Sequence, residues 1–254
     1  MSRSDPIRIN YYNALERAEK TANILFYFGA FVSILSIFLT REKFPQIYDF
    51  VMVVFALTVI SIFVVGLSVR LYFLPRAEDN RRRDFFGRAY EFNLIHERTD
   101  GYYNNCQVEP SRRIAAQVLE NSWFSKNITL RMLCFERVKV GLYFLVWMIC
   151  IYWRGADFGL MLAVSQAVFS EQIIARYFRL EWLRSRCEAT FERVRTLFAS
   201  GVSGASFDAM AVDLCSFYET SKSSAGITFP SSLFVKMNSH LSEQWEQIRQ
   251  DLGV

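Results

Sequence analysis

The chain has 254 residues, of which 52% are hydrophobic and 16% aromatic, and carries 29 Lys and Arg against 25 Asp and Glu. That length suits one compact domain or two small ones, and the hydrophobicity excludes a disordered chain. The apolar residues are gathered into long uncharged runs, which excludes an ordinary soluble enzyme. The five cysteines form no C-x-x-C pair, which argues against a disulfide scaffold.

In chain order, Arg3–Lys20 is predicted as a short surface helix with Ile7, Tyr11, Leu15 and Ala18 on one side. Ala22–Thr40 follows with 19 residues and no formal charge, and Phe50–Val69 with 20. Each reaches the roughly 20 residues that cross a hydrocarbon core of about 30 Å, and the short link Arg41–Asp49 makes them a hairpin. Leu74-Pro75 marks a break. Ala77–Arg98 then reads as a charged helix, with Phe85, Phe86, Ala89, Phe92 and Ile95 or His96 recurring at three- and four-residue spacing. Asp100, Gly101, Tyr102, Tyr103, Asn104 and Asn105 are dense in turn formers and read as a loop.

Pro110 and Ser111 start the next helix, with Ile114, Ala115, Val118 and Leu119 as its apolar side. It leads toward a third apolar run, Val140–Trp153, which Arg154–Asp157 links to a fourth, Phe158–Ser170. At 14 and 13 charge-free residues these make about 20 Å of helix each. Four spans are expected, with a re-entrant or interfacial second hairpin as the alternative. The fourth run continues without a breaker into Ala175–Ser200. There Leu180, Leu183, Cys187, Phe191, Val194 and Phe198 form a helix or coiled-coil stripe. Gly201–Gly204 ends it. A smaller helical segment, broken at Ser221–Pro230, precedes a closing helix over Ser231–Gln250.

No strand-like alternation of useful length occurs, so the expected class is all-α. The expected architecture is a helical integral membrane protein with two transmembrane hairpins (22–74 and 138–175) and a cytoplasmic helical bundle. Residues 1–21, 75–137 and 176–254 supply the bundle. Residues 1–21, 70–139 and 176–254 hold four, thirteen and nine Lys and Arg, and the two short links only three. By the positive-inside rule both termini and the central segment are cytoplasmic. The first apolar run lacks a small-x-small cleavage site and reads as a retained anchor. The cysteines, facing a reducing compartment, are expected to be free thiols.

The chain offers little for catalysis. Its two histidines, His96 and His240, lie outside any H-E-x-x-H or H-x-E setting, and no Walker loop, G-x-G-x-x-G or G-x-S-x-G occurs. No enzyme activity, cofactor or metal site is expected. Within the spans, small and polar residues recur along one side: Gly29, Ser33, Ser36 and Thr40 in the first, Thr58, Ser61, Val65 and Ser68 in the second. Gly159, Ala163, Gln166 and Ser170 do so in the fourth. Such stripes either let helices approach closely or line a pore when several copies assemble. Gln166 and Glu171 stand out, because an amide or acid in the membrane is costly unless it faces protein or water.

Two further groups are candidate sensor or partner surfaces. Arg81, Arg82 and Arg83 suit anchoring beside anionic headgroups or contact with a polyanion. The flanking Glu78, Asp79 and Asp84 neutralise much of their field, so direct nucleic-acid binding is not expected. The Asp100–Asn105 loop combines rigid tyrosines with adaptable asparagines, a composition suited to recognition.

The layout of a charged N-terminal segment, two hairpins and a helical tail resembles the four-transmembrane effectors of prokaryotic anti-phage systems. The stretches Arg83–Asn105 and Leu119–Ser125 carry the resemblance alongside it. Those effectors accompany retrons and cyclic-oligonucleotide signalling operons. The resemblance implies a toxic multi-pass protein of the bacterial inner membrane, assembling as a homo-oligomer in the lipid bilayer. It also implies restraint by a cytoplasmic regulatory partner, either a retron reverse transcriptase with its nucleic acid or a cyclic-nucleotide signalling component. Release would permeabilise and depolarise the membrane and abort infection. The alternatives are a non-conducting membrane adaptor that recruits a cytoplasmic partner, a small channel or transporter, and, behind these, a membrane enzyme.

Overall fold

The computed structural model describes residues 5–39, 41–97, 99, 105, 107–152 and 158–254. Among these every regular element is a helix, as the absence of strand-like alternation predicts. The helices are α1 (Asn13–Phe38), α2 (Pro45–Ser68), α3 (Leu74–Ala89), α4 (Pro110–Tyr152), α5 (Phe158–Val168), α6 (Arg176–Ala199), α7 (Ala205–Ala225) and α8 (Ser231–Leu252). Three wider π-helical turns, Arg8–Tyr12, Val69–Phe73 and Glu171–Ala175, join or extend them. The chain divides into two compact units. One comprises Met1–Asn13, Leu74–Leu133 and Arg179–Val254, the other Ala14–Phe73 and Cys134–Phe178.

The two-segment unit has inverted burial. The helical runs Arg8–Phe38 and Pro45–Ala89 are long and apolar enough to cross a membrane, yet only 11% of the most apolar stretch of each is buried inside the chain. Ile24, Phe31, Phe50 and Phe63 all face outward. In a water-soluble domain such residues would form the core. The two helices meet where Gly29 faces Thr58, both buried. Elsewhere in the unit, Trp147 Nε1 donates to Ser165 Oγ at 2.9 Å. Ser165 Oγ in turn donates to the Met161 carbonyl at 2.7 Å. The Trp147 ring meets Phe169 edge-on. Glu136 accepts from Arg176 Nε at 3.2 Å and pairs with Lys139.

Four expectations about helix limits are corrected. The N-terminal helix is not separate from the first span, because nothing between Tyr12 and Thr21 breaks the helix and it runs on from Arg8 to Phe38. Pro75 does not break the chain either. Proline lacks an N–H and its ring clashes with the carbonyl four residues back; here the π turn Val69–Phe73 lies immediately before and widens the ladder where that carbonyl sits. The helix predicted to reach Arg98 stops at Ala89. Glu91 adopts φ 56°, and the Phe92 N–H closes on the Gly87 carbonyl at 2.9 Å, a Schellman ending. A methyl on Gly87 would stand 2.7 Å from the Phe92 carbonyl oxygen, so glycine is what lets the chain fold back there. Phe92 is consequently 63% exposed rather than on a helix face. Lastly, the fourth apolar run does break, because Ser170 turns to extended backbone (φ −74°, ψ 164°) between α5 and the π turn at Glu171.

The three-segment unit has an ordinary core. Ile114, Ala115, Val118 and Leu119 are buried on α4, and Leu180, Leu183, Cys187, Phe191 and Val194 on α6. Each fully buried valine, leucine or isoleucine among them stabilises the fold by roughly 1.5–3 kcal/mol. Leu197, not Phe198, completes the α6 stripe, while the Phe198 ring packs edge-on against Phe207 on α7. Gly201 and Gly204 (φ +70° and +64°) make the turn between those two helices.

Candidate functional site

Two places collect side chains with functional potential, one in each unit. In the two-segment unit, the hydroxyls of the small-residue stripes turn back onto their own helices. Thr58 donates to the Val54 carbonyl, Ser61 to Leu57, Ser68 to Val64 and Ser36 to Ser33, all at 2.7–2.8 Å. Such back-bonding satisfies the donor without a second helix. Ser33 is half-buried, and Gly29 packs tightly on Thr58. On α5 and after it the pattern differs. Gln166 and Glu171 are exposed on the unit's surface, and Ser170 Oγ is buried with no hydrogen-bond partner among the described residues. Thr40, the Ala163 side chain and the 153–157 link lie outside the described residues.

In the three-segment unit, five segments close around a cavity of about 150 Å³. The N-terminal segment contributes Asp5, Arg8 and Tyr12. Asp5 accepts the Arg8 backbone N–H at 3.0 Å, and its two carboxylate oxygens also accept Arg81 Nη2 at 2.8 and 3.1 Å. The Arg81 guanidinium lies over the Tyr12 ring, and Arg76 over Tyr11. From α3, Glu78, Arg81, Arg82 and Phe85 point into the cavity, a set that the helical repeat places on one face. Asn121, Phe124, Ser125 and Ile128 come from α4, and Tyr218, Glu219 and Lys222 from α7. The connection after α7 and the start of α8 add Thr228, Phe229 and Phe234, with Arg8 stacked over the Phe234 ring.

The electrostatics keep this site strongly charged. At Lys222 burial works to lower the pKa, but Glu219, Tyr12, Glu78 and Tyr218 outweigh it and hold the ammonium well above its ordinary value. Burial pushes the Glu78 carboxyl up, against the pull of Lys222 and Arg82 and with the repulsion of Glu219. Burial likewise pushes the Tyr218 hydroxyl up, and that hydroxyl shares a hydrogen bond of 2.9 Å with Ser125. The site thus presents a fixed ammonium, guanidinium groups, a neutral phenol and aromatic walls. That is an inventory for binding.

Of the arginines singled out in the sequence, Arg81 reaches the cavity and is tied to Asp5. Arg82 lines its rim and pairs with Asp79 at 2.7 Å; Arg83 pairs with the same carboxylate at 2.9 Å. Asp84 turns inward instead, 2% exposed, and accepts both the backbone N–H and the hydroxyl of Thr99. Asp100, Gly101, Tyr102, Tyr103 and Asn104 lie outside the described residues, and Asn105 is half-buried. On the far side of that stretch, Arg113 Nε donates to the Gln107 carbonyl and Nη2 to Val108. Arg113 Nη1 reaches the Ala89 carbonyl and pairs with Glu91. Asp84 and Arg113 therefore anchor the residues flanking the predicted loop.

Sequence reasoning missed Asp5, Arg8, Tyr12, Glu219 and Lys222. One signal was present. Ala211, Leu214, Cys215, Tyr218 and Ala225 form the buried face of α7, and Lys222 occupies a step of that stripe where an apolar residue belongs. His96 and His240 are both exposed, and no group of three or more metal-ligating side chains gathers among the described residues. No family model matches the chain, and no curated protein or solved structure does so either.

Proposed function

We propose that this chain is a membrane effector of an anti-phage defence system, akin to the four-transmembrane effectors its layout resembles. On activation it oligomerises, permeabilises and depolarises the bacterial inner membrane, and so aborts infection. The observation that carries the reading is the inverted burial of the apolar helices. Beyond the two long apolar helices, the second half of α4 exposes Leu142, Leu145 and Ile149, and α5 exposes Leu162. We assign these to a second, shorter hairpin, giving four passes with both termini cytoplasmic. Gln166 and Glu171 are exposed as well, and an amide or acid is costly against lipid.

A switch needs an element with two arrangements. The chain passes between its two units at Asn13/Ala14, Phe73/Leu74, Leu133/Cys134 and Phe178/Arg179. The three π turns end at Tyr12, Phe73 and Ala175, within a few residues of three of those points. Such turns are rare and recur at functional positions. They are the places where a cytoplasmic regulatory partner would alter the spans.

A non-conducting adaptor is the second reading, favoured by the back-bonded hydroxyls of Ser36, Thr58, Ser61 and Ser68, which suit packing better than a polar lining. Purified protein in liposomes separates the two. The effector passes ions and Gln166→Leu reduces the flux, whereas an adaptor leaves the vesicles sealed with either sequence.

A further inference from the structure

We propose that the cavity of the three-segment unit binds a small organic phosphate, with the phosphate at Arg8, Arg81 and Lys222 and a flat apolar group against Phe124 and Phe234. This rests on the cavity alone and not on membrane permeabilisation. The size limits the ligand first. A cavity near 150 Å³ takes a group about as large as benzene, and it falls below the roughly 300–1,000 Å³ of pockets for drug-sized ligands. The space suits a ligand built on a single ring.

Charge and geometry fix the chemical class. Arg8, Arg81, Arg82 and Lys222 face Asp5, Glu78 and Glu219 across the lining, an excess of one cation, and a phosphate ester has three free oxygens to meet Arg8, Arg81 and Lys222 where a carboxylate has two. Guanidinium forks match phosphate oxygens in pairs, and an ammonium adds a point charge.

Asp5 already plays the ligand's part. Its carboxylate sets both oxygens on Arg81 Nη2 and so occupies a donor that an incoming oxyanion would use. Binding thus exchanges Asp5 for phosphate on Arg81 and frees one of the contacts that hold the N-terminal segment to α3. Asp5 is an internal competitor, and removing its charge should tighten binding, an outcome a merely structural ion pair would not produce.

The test is calorimetric titration of the full chain in mild detergent with phenyl phosphate, beside inorganic phosphate and phenol. One saturable site is expected, with phenyl phosphate binding about tenfold more tightly than either fragment. Lys222→Met and Arg8→Gln should each weaken it roughly tenfold, and Asp5→Asn should strengthen it severalfold. Absence of saturable binding, or unchanged affinity in both cation variants, overturns the site. Phenol binding as well as phenyl phosphate reduces it to an apolar cavity. Inorganic phosphate binding equally well removes the ring from the proposal, and an Asp5→Asn variant no tighter than the parent removes the competitor.

Discussion

Thr58 packs against Gly29 so closely that a methyl group on the glycine would lie 3.3 Å from the threonine Cγ2, with Ile62 at 3.6 Å beside it. This close approach of α1 to α2 leaves no room for a larger residue at position 29. Gly29→Leu should force the helices apart and cost roughly 1–3 kcal/mol, the usual penalty for overpacking. Thermal unfolding of the full chain in detergent measures it, with a lowered midpoint for the leucine variant and a smaller loss for Gly29→Ala. An unchanged midpoint in Gly29→Leu contradicts the packing.

The Asp84–Thr99 contact gives a second expectation. Asp84 is buried and accepts two hydrogen bonds from one residue, at 3.3 Å from the backbone and 2.5 Å from the hydroxyl. Hydrogen bonds to a charged group contribute about 1.5–3 kcal/mol. Asp84→Ala should therefore destabilise the chain by roughly that amount in urea titration, leaving Thr99 donors unsatisfied. Thr99→Val, which keeps the backbone bond, should cost less. Equal losses would mean that the backbone bond contributes nothing.

Glu78 predicts a pH dependence of definite sign. Burial raises its carboxyl pKa above the ordinary 4.5, with Lys222 and Arg82 opposing and Glu219 adding to the rise. The folded chain then holds this proton at pH values where the unfolded chain has lost it. Between the ordinary and the raised pKa the folded state binds more protons, so stability falls as pH rises through that window. Glu78→Gln removes the penalty. Its stability relative to the parent should grow as the pH rises above the ordinary 4.5 in matched denaturation curves, and a constant difference would rule out the buried-carboxyl explanation.

Thiol chemistry separates the cysteines. Burial pushes the Cys187 and Cys215 thiols up to about 12; Lys222 pulls the first down slightly and Glu219 pushes the second further up. Since the thiolate is the nucleophile, on the order of one such thiol in ten thousand is reactive near pH 8. Cys134 is exposed. Iodoacetamide should label Cys134 in the native chain, and Cys187 and Cys215 only after denaturation, as read by peptide mass spectrometry. Native labelling of Cys187 would contradict the packing of α6.

Local pattern carried much of the fold. The α6 stripe from Leu180 to Val194 and the apolar side of α4 are buried as their spacing predicts, because each depends only on which face of one helix meets the core. The two long apolar runs are legible for the same reason. Pro75 misled because its usual effect on a helix is cancelled by the π turn just before it, and no residue type signals such a turn. Gly87 allowed the chain to reverse at Glu91 inside an amphipathic pattern that otherwise reads onward to Arg98. The cavity was hidden for a different reason. Asp5, Arg81 and Lys222 are brought together by tertiary packing of segments far apart in sequence, and only the place of Lys222 in the apolar stripe of α7 signals burial. Asp79 does neutralise Arg82 and Arg83 as its proximity suggests, whereas Asp84 is turned to Thr99 by a reversal that spacing does not encode.

The central claim is that exposed polar groups beside the apolar helices serve an assembly that conducts ions. Membrane potential, followed with a voltage-sensitive dye during titratable expression in a bacterial host, tests it most directly when wild type is compared with Glu171→Leu at equal membrane abundance. The account predicts rapid depolarisation by wild type and a retained potential with the variant. Cells that die under wild-type expression with their potential intact would contradict it.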